Sequence, residues 1–497
     1  MNDKIINWKK ISLFLFVFTI VLMIPLLAIA RYNIPNSEDF NTDIKNMHDV
    51  MKYDSSFICL VKRSIQNVVF NYFNWGGSYF SCFIKNFSPV LLGERYYFLT
   101  GYFVISVVLI GLFCICKSSV KYIFNSNKII TYIIFLTLTI VITQFMPSPS
   151  QGFFWHCAVI AYSLMCGFAL IVYSVLIKTI FDTEIKPSRI ILLSLLLVLL
   201  AGGNVVINLI TAEILVICIL ILALCKNKAW KRIIVPAVVF GVFFFISVAA
   251  PGNSVRGRSF ESIGIFKSIV LCFGQTANVI GKWIVSPASI LFVFLVPVFW
   301  KLAGESSCSY KYPTVVTVLS VCLLASLYMP ILYGEGPIFL EPGITPEGRY
   351  QDVVFLYYVV LFAANELYWI GWARRKMQIY DSDRDGIKVS FAVITAGLFG
   401  IMCILYSLNG NMISSLSSIN ELRRGIAQDY YSVYMDRVVI LNNPEIKTAI
   451  LPRFGETPQM LFCDDLDEVF YSWRNIYVAE YYGKEMVILE PIETSDK

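Results

Sequence analysis

Residues 11–30 read ISLFLFVFTIVLMIPLLAIA. The run holds no charged residue, and as a helix rising 1.5 Å per residue it crosses the ~30 Å hydrocarbon layer of a bilayer. Lys4, Lys9 and Lys10 precede it. It is longer than the apolar core of a secretory signal, so a retained anchor is expected, although Leu27-Ala28-Ile29-Ala30 imitates a small-residue cleavage site. Working outward, apolar blocks of similar length recur near 96–116, 129–146, 155–177, 190–203, 204–225, 233–249, 284–300, 312–333, 351–372 and 389–408. With the first, that makes about eleven expected spans. Of the 497 residues, 57% are hydrophobic and 15% charged. A soluble domain carries about 25% charged residues. Mean hydropathy is +0.68, more apolar surface than a water-soluble core can hide.

The loops set the orientation. Those assigned to the inside hold Lys117, Lys121, Lys128; Lys178, Lys186, Arg189; Lys226, Lys228, Lys231, Arg232; Lys301, Lys311; and Arg374, Arg375, Lys376, Arg384, Lys388, which is 17 cations. The short loops assigned to the outside hold 5: Arg256, Arg258, Lys267, Lys282 and Arg349. Cytoplasmic loops carry the excess of Lys and Arg, so the N-terminus is expected inside and the C-terminus outside. The net charge of +6 is then a topology signal and does not point to nucleic acid. The cysteines form no zinc-type cluster, and Cys59 and Cys82 in the first loop are expected to stay free thiols rather than pair.

The organisation expected is a first span (1–30), an extracytoplasmic loop (31–95), the bundle (96–408) and an extracytoplasmic C-terminal region (409–497). In the loop, Asn46–Phe73 has helical-period apolar positions that suit helices lying at the interface, and 260–283 looks like another. The tail carries 14 acidic and 8 basic residues. A helical start over Ser417–Asn442 and strands at Thr448–Leu451 and Met486–Leu489 suggest a small α/β cap. The fold class expected is thus an all-α polytopic membrane bundle with that cap.

Just past the first span comes Asn36-Ser37-Glu38-Asp39. Two adjacent carboxylates at a membrane exit suit a general base or a divalent cation; a solvated pair capping a helix start after Pro35 is the plain alternative. Glu213, deep in a span with Asn204 and Asn208 before it, either contacts substrate or seats a buried polar network. Trp75, Tyr79 and Trp155 either stack on a substrate or anchor at the headgroup level. His156, at the outer end of a span, either binds a phosphate or is structural.

An acidic pair in the first outer loop, directly after the first span, resembles the signature of the GT-C glycosyltransferases. Further motifs follow in order: Trp75-Gly76-Gly77-Ser78-Tyr79, Phe154-Trp155-His156, Ala250-Pro251-Gly252-Asn253-Ser254-Val255-Arg256, Trp473-Arg474-Asn475 and Glu480-Tyr481-Tyr482-Gly483. Together they resemble a largely uncharacterised bacterial family of GT-C type, akin to the serotype-conversion glucosyltransferases that decorate O-antigen and surface polysaccharide. The resemblance implies a polyprenyl-phosphate sugar as donor, a cell-surface glycan or lipid-linked precursor as acceptor, membrane lipids as surroundings, and inversion at the anomeric carbon. It assigns the base to Asp39, then Glu38, and the donor phosphate to Arg349, then Arg256 and Arg258, with His156 beside them. Mg²⁺ or Mn²⁺ on Glu38 and Asp39 is left open. The rivals are a polysaccharide polymerase or ligase, which would place its large outer loop late in the bundle, and a lipid-linked sugar flippase, which would show repeated halves.

Overall fold

The computed structural model describes residues 4–184, 186–258, 260, 263–334, 336, 348–377 and 386–491. Arg384 and most of the expected outer loop 335–348 lie outside the described residues. Among those described, eight helices are long and apolar enough to cross a membrane: Trp8–Tyr32, Glu94–Ile123, His156–Phe181, Val205–Leu224, Trp230–Val248, Ala288–Glu305, Gly348–Lys376 and Val389–Leu408. The other three expected spans are shorter apolar helices, Lys128–Gln144, Pro187–Ala201 and Pro313–Ser326. Local chemistry shortens them. Pro147 and Pro149 follow the first, Gly202-Gly203 ends the second, and Pro330 lies just past the third.

The helices leave apolar surface open. Leu224 is 82% exposed, Phe245 71% and Val393 65%, and helix Val389–Leu408 buries only Thr395. So large an apolar surface calls for lipid rather than water. Where helices do meet, small residues let them close. A Cβ on Gly111 would lie 2.2 Å from the carbonyl oxygen of Gly167, so helices Leu99–Ser118 and Ser163–Phe181 cross backbone to backbone.

The loops sort to two ends. At the basic end, strand Ile5–Asn7 pairs antiparallel with Gly386–Lys388. There Arg232 donates to the Asp182 carbonyl (2.8 Å), Arg375 donates to the Ser306 carbonyl (2.5 Å), and Lys121 and Lys178 both cover Tyr122. At the opposite end, Asn33 donates to the Phe154 carbonyl (2.9 Å), the Ser148 N–H to Asp352 (2.8 Å), Ser81 to the Gly203 carbonyl (2.6 Å) and the Ser415 N–H to Gln144 (3.1 Å).

The first loop and the tail pack together at this second end. The loop forms helices Thr42–Tyr53 and Phe57–Asn74; helix Ile265–Ile284 likewise buries one stripe, from Ser268 to Trp283. In the tail the expected single helix is two, Ser414–Arg423 and Ile426–Asn442, because Gly425 between them has φ 78°. Strands Thr448–Leu451 and Met486–Leu489 pair in parallel. A shared core joins Phe40, Ile44 and Tyr97 to Leu451, Val478 and Val487. All thirteen cysteines are free.

Candidate functional site

The site is built on three consecutive residues. A π-turn over Ser150–Phe154 ends in an extended Trp155, and a new helix starts at His156. The extended residue turns Trp155, His156 and Cys157 toward different neighbours, and each gathers a different part of the chain.

Cys157 and His156 hold Asp39. The Cys157 N–H donates to Asp39 Oδ1 (3.0 Å). The His156 N–H donates to the Tyr97 hydroxyl (2.8 Å), which in turn donates to Asp39 Oδ2. The Asn36 N–H donates to the same oxygen (2.9 Å), closing the short turn Ser37–Phe40. Asp39 is 0% exposed. Burial pushes its carboxyl up to about 6, while the hydrogen bonds from Tyr97, Asn36 and Cys157 pull the other way. The base expected at Asp39 is thus enclosed in this fold, whereas the second expected carboxylate, Glu38, is partly exposed.

Glu38 is partly exposed. Its carbonyl accepts from Asn41 Nδ2 (2.9 Å) and the Cys157 thiol (3.4 Å), which fixes the backbone and leaves the carboxylate to the site. That carboxylate lies within electrostatic reach of Lys85, Asp464 and Tyr477. Lys85 ends a short helix, Tyr79–Lys85, packed under the corner. Burial opposes the Lys85 charge, and the Asp43 and Glu38 carboxylates near it favour the ammonium. Asp43 is itself pushed up by burial, against Lys85 and a 2.7 Å bond from Asn71.

His156 does not face the site. It is 2% exposed; Nε2 donates to the Lys85 carbonyl (3.0 Å), and Nδ1 lies 3.4 Å from the Thr100 hydroxyl. A ring nitrogen against a carbonyl must carry the proton, so both nitrogens are committed within the protein and the phosphate role expected for His156 is corrected. Trp155 carries Arg349, whose guanidinium lies 5.1 Å from its ring centre, with Tyr350 at 5.7 Å and Tyr162 at 5.9 Å. The Arg349 N–H donates to Gln151 in the π-turn (3.1 Å).

Five expected residues lie elsewhere. Trp75 and Arg256 pair with each other, 5.3 Å apart, beyond the far end of helix Phe57–Asn74, and Arg258 beside them is exposed. Tyr79 donates to the Val198 carbonyl (2.5 Å), locking the first loop onto the Gly202 turn; its substrate role is corrected to a packing one. Gly77 serves the same docking, since a Cβ there would lie 1.9 Å from the Ser247 carbonyl oxygen. Glu213 accepts from Ser326 (2.6 Å) inside the bundle, which is the polar-network alternative.

The acidic pair does not form a metal cradle, because both Asp39 oxygens are turned to N–H and O–H donors. Among the described residues no three potential ligands stand together. Sequence reasoning missed Tyr97, Lys85 and the cap residues Cys463 and Asp464, and gave Arg474 only as part of a motif. Cys463 packs against Trp155 and Cys157, and Arg474 binds Asp464 (3.1 Å) and Asp467 (3.1 Å). Nothing in their local sequence marks them, since each matters only through a distant partner. No family model, curated protein or solved structure matches the chain.

Proposed function

We propose that the chain is a GT-C-like glycosyltransferase of the bacterial cytoplasmic membrane, moving a sugar from a polyprenyl-phosphate donor to a surface glycan or its lipid-linked precursor on the outer leaflet. The observation that carries this reading is the meeting of Glu38, Lys85 and Arg349 at one corner: the Cys157 thiol donates to the Glu38 carbonyl, His156 Nε2 to the Lys85 carbonyl, and the Arg349 guanidinium lies on Trp155. Glu38 accepts the proton of the acceptor hydroxyl as its oxygen attacks the anomeric carbon. The bond between that carbon and the phosphate oxygen breaks, and the charge left on the phosphate is held by Lys85 and Arg349. Asp39 keeps Glu38 aimed. Attack opposite the departing phosphate inverts the anomeric centre.

Eleven crossings, with the cap outside, belong to the same reading. What supports them is the sorting of loops: the short apolar helices Lys128–Gln144 and Pro187–Ala201 each start in a basic loop and end beside a cap-end partner, Ser415 at Gln144 and Ser81 at Gly203, and the basic loops carry the cations expected inside. Purified protein in nanodiscs, supplied with a polyprenyl-phosphate sugar and surface polysaccharide, should transfer the sugar. No transfer with any polyprenyl-phosphate hexose, or an inactive alkaline-phosphatase fusion at residue 410, would sink the reading.

A further inference from the structure

We propose that Tyr471, Trp473 and Tyr477 form a docking track for a hydroxyl-rich glycan chain, leading from the open edge of the cap to Glu38. The proposal rests on the glycosyl-transfer reading of Glu38 and names where its acceptor lies. Tyr471 is 69% exposed and Trp473 46%, far more than buried aromatic residues retain. Helix Trp473–Tyr482 sets Trp473 and Tyr477 one turn apart, with ring centres 5.6 Å from each other. The same helix packs on the turn Ser37–Phe40 that holds Glu38, with the Phe40 ring centre 4.9 Å from that of Tyr481 and 5.6 Å from that of Tyr482, so the track leads to the candidate base.

The polar groups beside the rings are those a sugar uses. Arg474 lies over Trp473 at 4.8 Å and bonds Asp464 and Asp467. One oxygen of Asp464, Oδ1, is buried with no hydrogen-bond partner, while the other accepts from Arg474 (3.1 Å). Sugar rings offer apolar C–H faces to aromatic rings and hydroxyl edges to carboxylates and guanidinium, so rings interleaved with such groups suit a glycan. A lipid surface fits less well. Asp465, Asp467, Glu468 and Glu480 crowd the same stretch and repel anionic headgroups. By contrast, helix Phe57–Asn74 exposes Phe57, Ile58 and Phe70 beside Lys62 and Arg63, as a lipid-facing helix does.

The test uses the full chain in nanodiscs and, as probe, delipidated surface polysaccharide from the cells that carry it. Trp473→Ala should weaken binding at least tenfold with an unchanged melting temperature, Trp473→Phe should recover most of it, and Lys62→Ala, on the separate helix Phe57–Asn74, should bind within twofold of the unaltered chain. Unchanged affinity and unchanged acceptor KM in Trp473→Ala would overturn the track while leaving the transferase reading in place. Binding by Trp473 to phosphatidylethanolamine–phosphatidylglycerol vesicles instead of polysaccharide would also overturn it, making the rings a membrane anchor. Binding that Trp473→Ala abolishes, with no sugar transfer by any preparation, would keep the glycan track and remove the transferase reading.

Discussion

The Trp155–Cys157 corner and the edge where Trp75 meets Arg256 both carry residues that the sequence marks for substrate, and they are built in opposite ways. At the corner, segments 58 and 118 residues apart converge on one carboxylate through buried hydrogen bonds. At the edge, a Trp that is 59% exposed lies against one guanidinium. An exposed cation–π pair is worth about 0.5–1 kcal/mol. A buried donor left without its acceptor costs about 1–3 kcal/mol. Only the corner is held firmly enough to aim a side chain, and within it Asp39 is enclosed while Glu38 is partly exposed.

The sharpest way to break this contrast is Glu38→Gln. Removing a general base costs roughly 10²- to 10⁴-fold in rate, so transfer assayed with polyprenyl-phosphate sugar should fall by that factor while the melting temperature stays put. A fall in stability instead would mean that Glu38 is structural. Asp39→Ala should do the reverse in kind. It strands the N–H groups of Asn36 and Cys157 and the Tyr97 hydroxyl, so denaturant or thermal unfolding in detergent should show a loss of at least about 3 kcal/mol. A variant as stable as the parent would remove the positioning role.

A third effect comes from pH. The folded Asp39 carboxyl titrates at about 6, above its ordinary 3.8. The folded state then binds more protons than the unfolded one between those values, so the Asp39 contribution to stability falls as pH rises through that window, by about 1.4 kcal/mol per unit. It is constant below and above. Measured as the difference from Asp39→Asn between pH 3.5 and 7.5, a rise instead of a fall would show that the hydrogen bonds to the anion outweigh its burial. The smallest effect is expected at the edge: Trp75→Ala and Arg256→Ala should each change transfer less than threefold. A hundredfold loss there would move the site away from the corner.

Much of this protein was legible without coordinates. The apolar runs, their basic loops, the amphipathic first-loop helices and the strands Thr448–Leu451 and Met486–Leu489 follow from local composition and period, because crossing lipid or covering a core constrains each residue by its immediate neighbours. The motif Trp75-Gly76-Gly77-Ser78-Tyr79 was visible as well, but its purpose was not: its glycines and tyrosine serve close packing against Ser247 and Val198.

The acidic pair shows where local information stops. Sequence alone located Glu38 and Asp39 at the end of the first membrane helix and marked them as the place to look. Which of the two is buried was decided by Tyr97, His156 and Cys157, far along the chain, and only tertiary packing brings those donors to Asp39. Burial and hydrogen bonding depend on partners that sequence distance does not reveal, so the residue that holds and the residue that faces the site could be told apart only once the chain was folded.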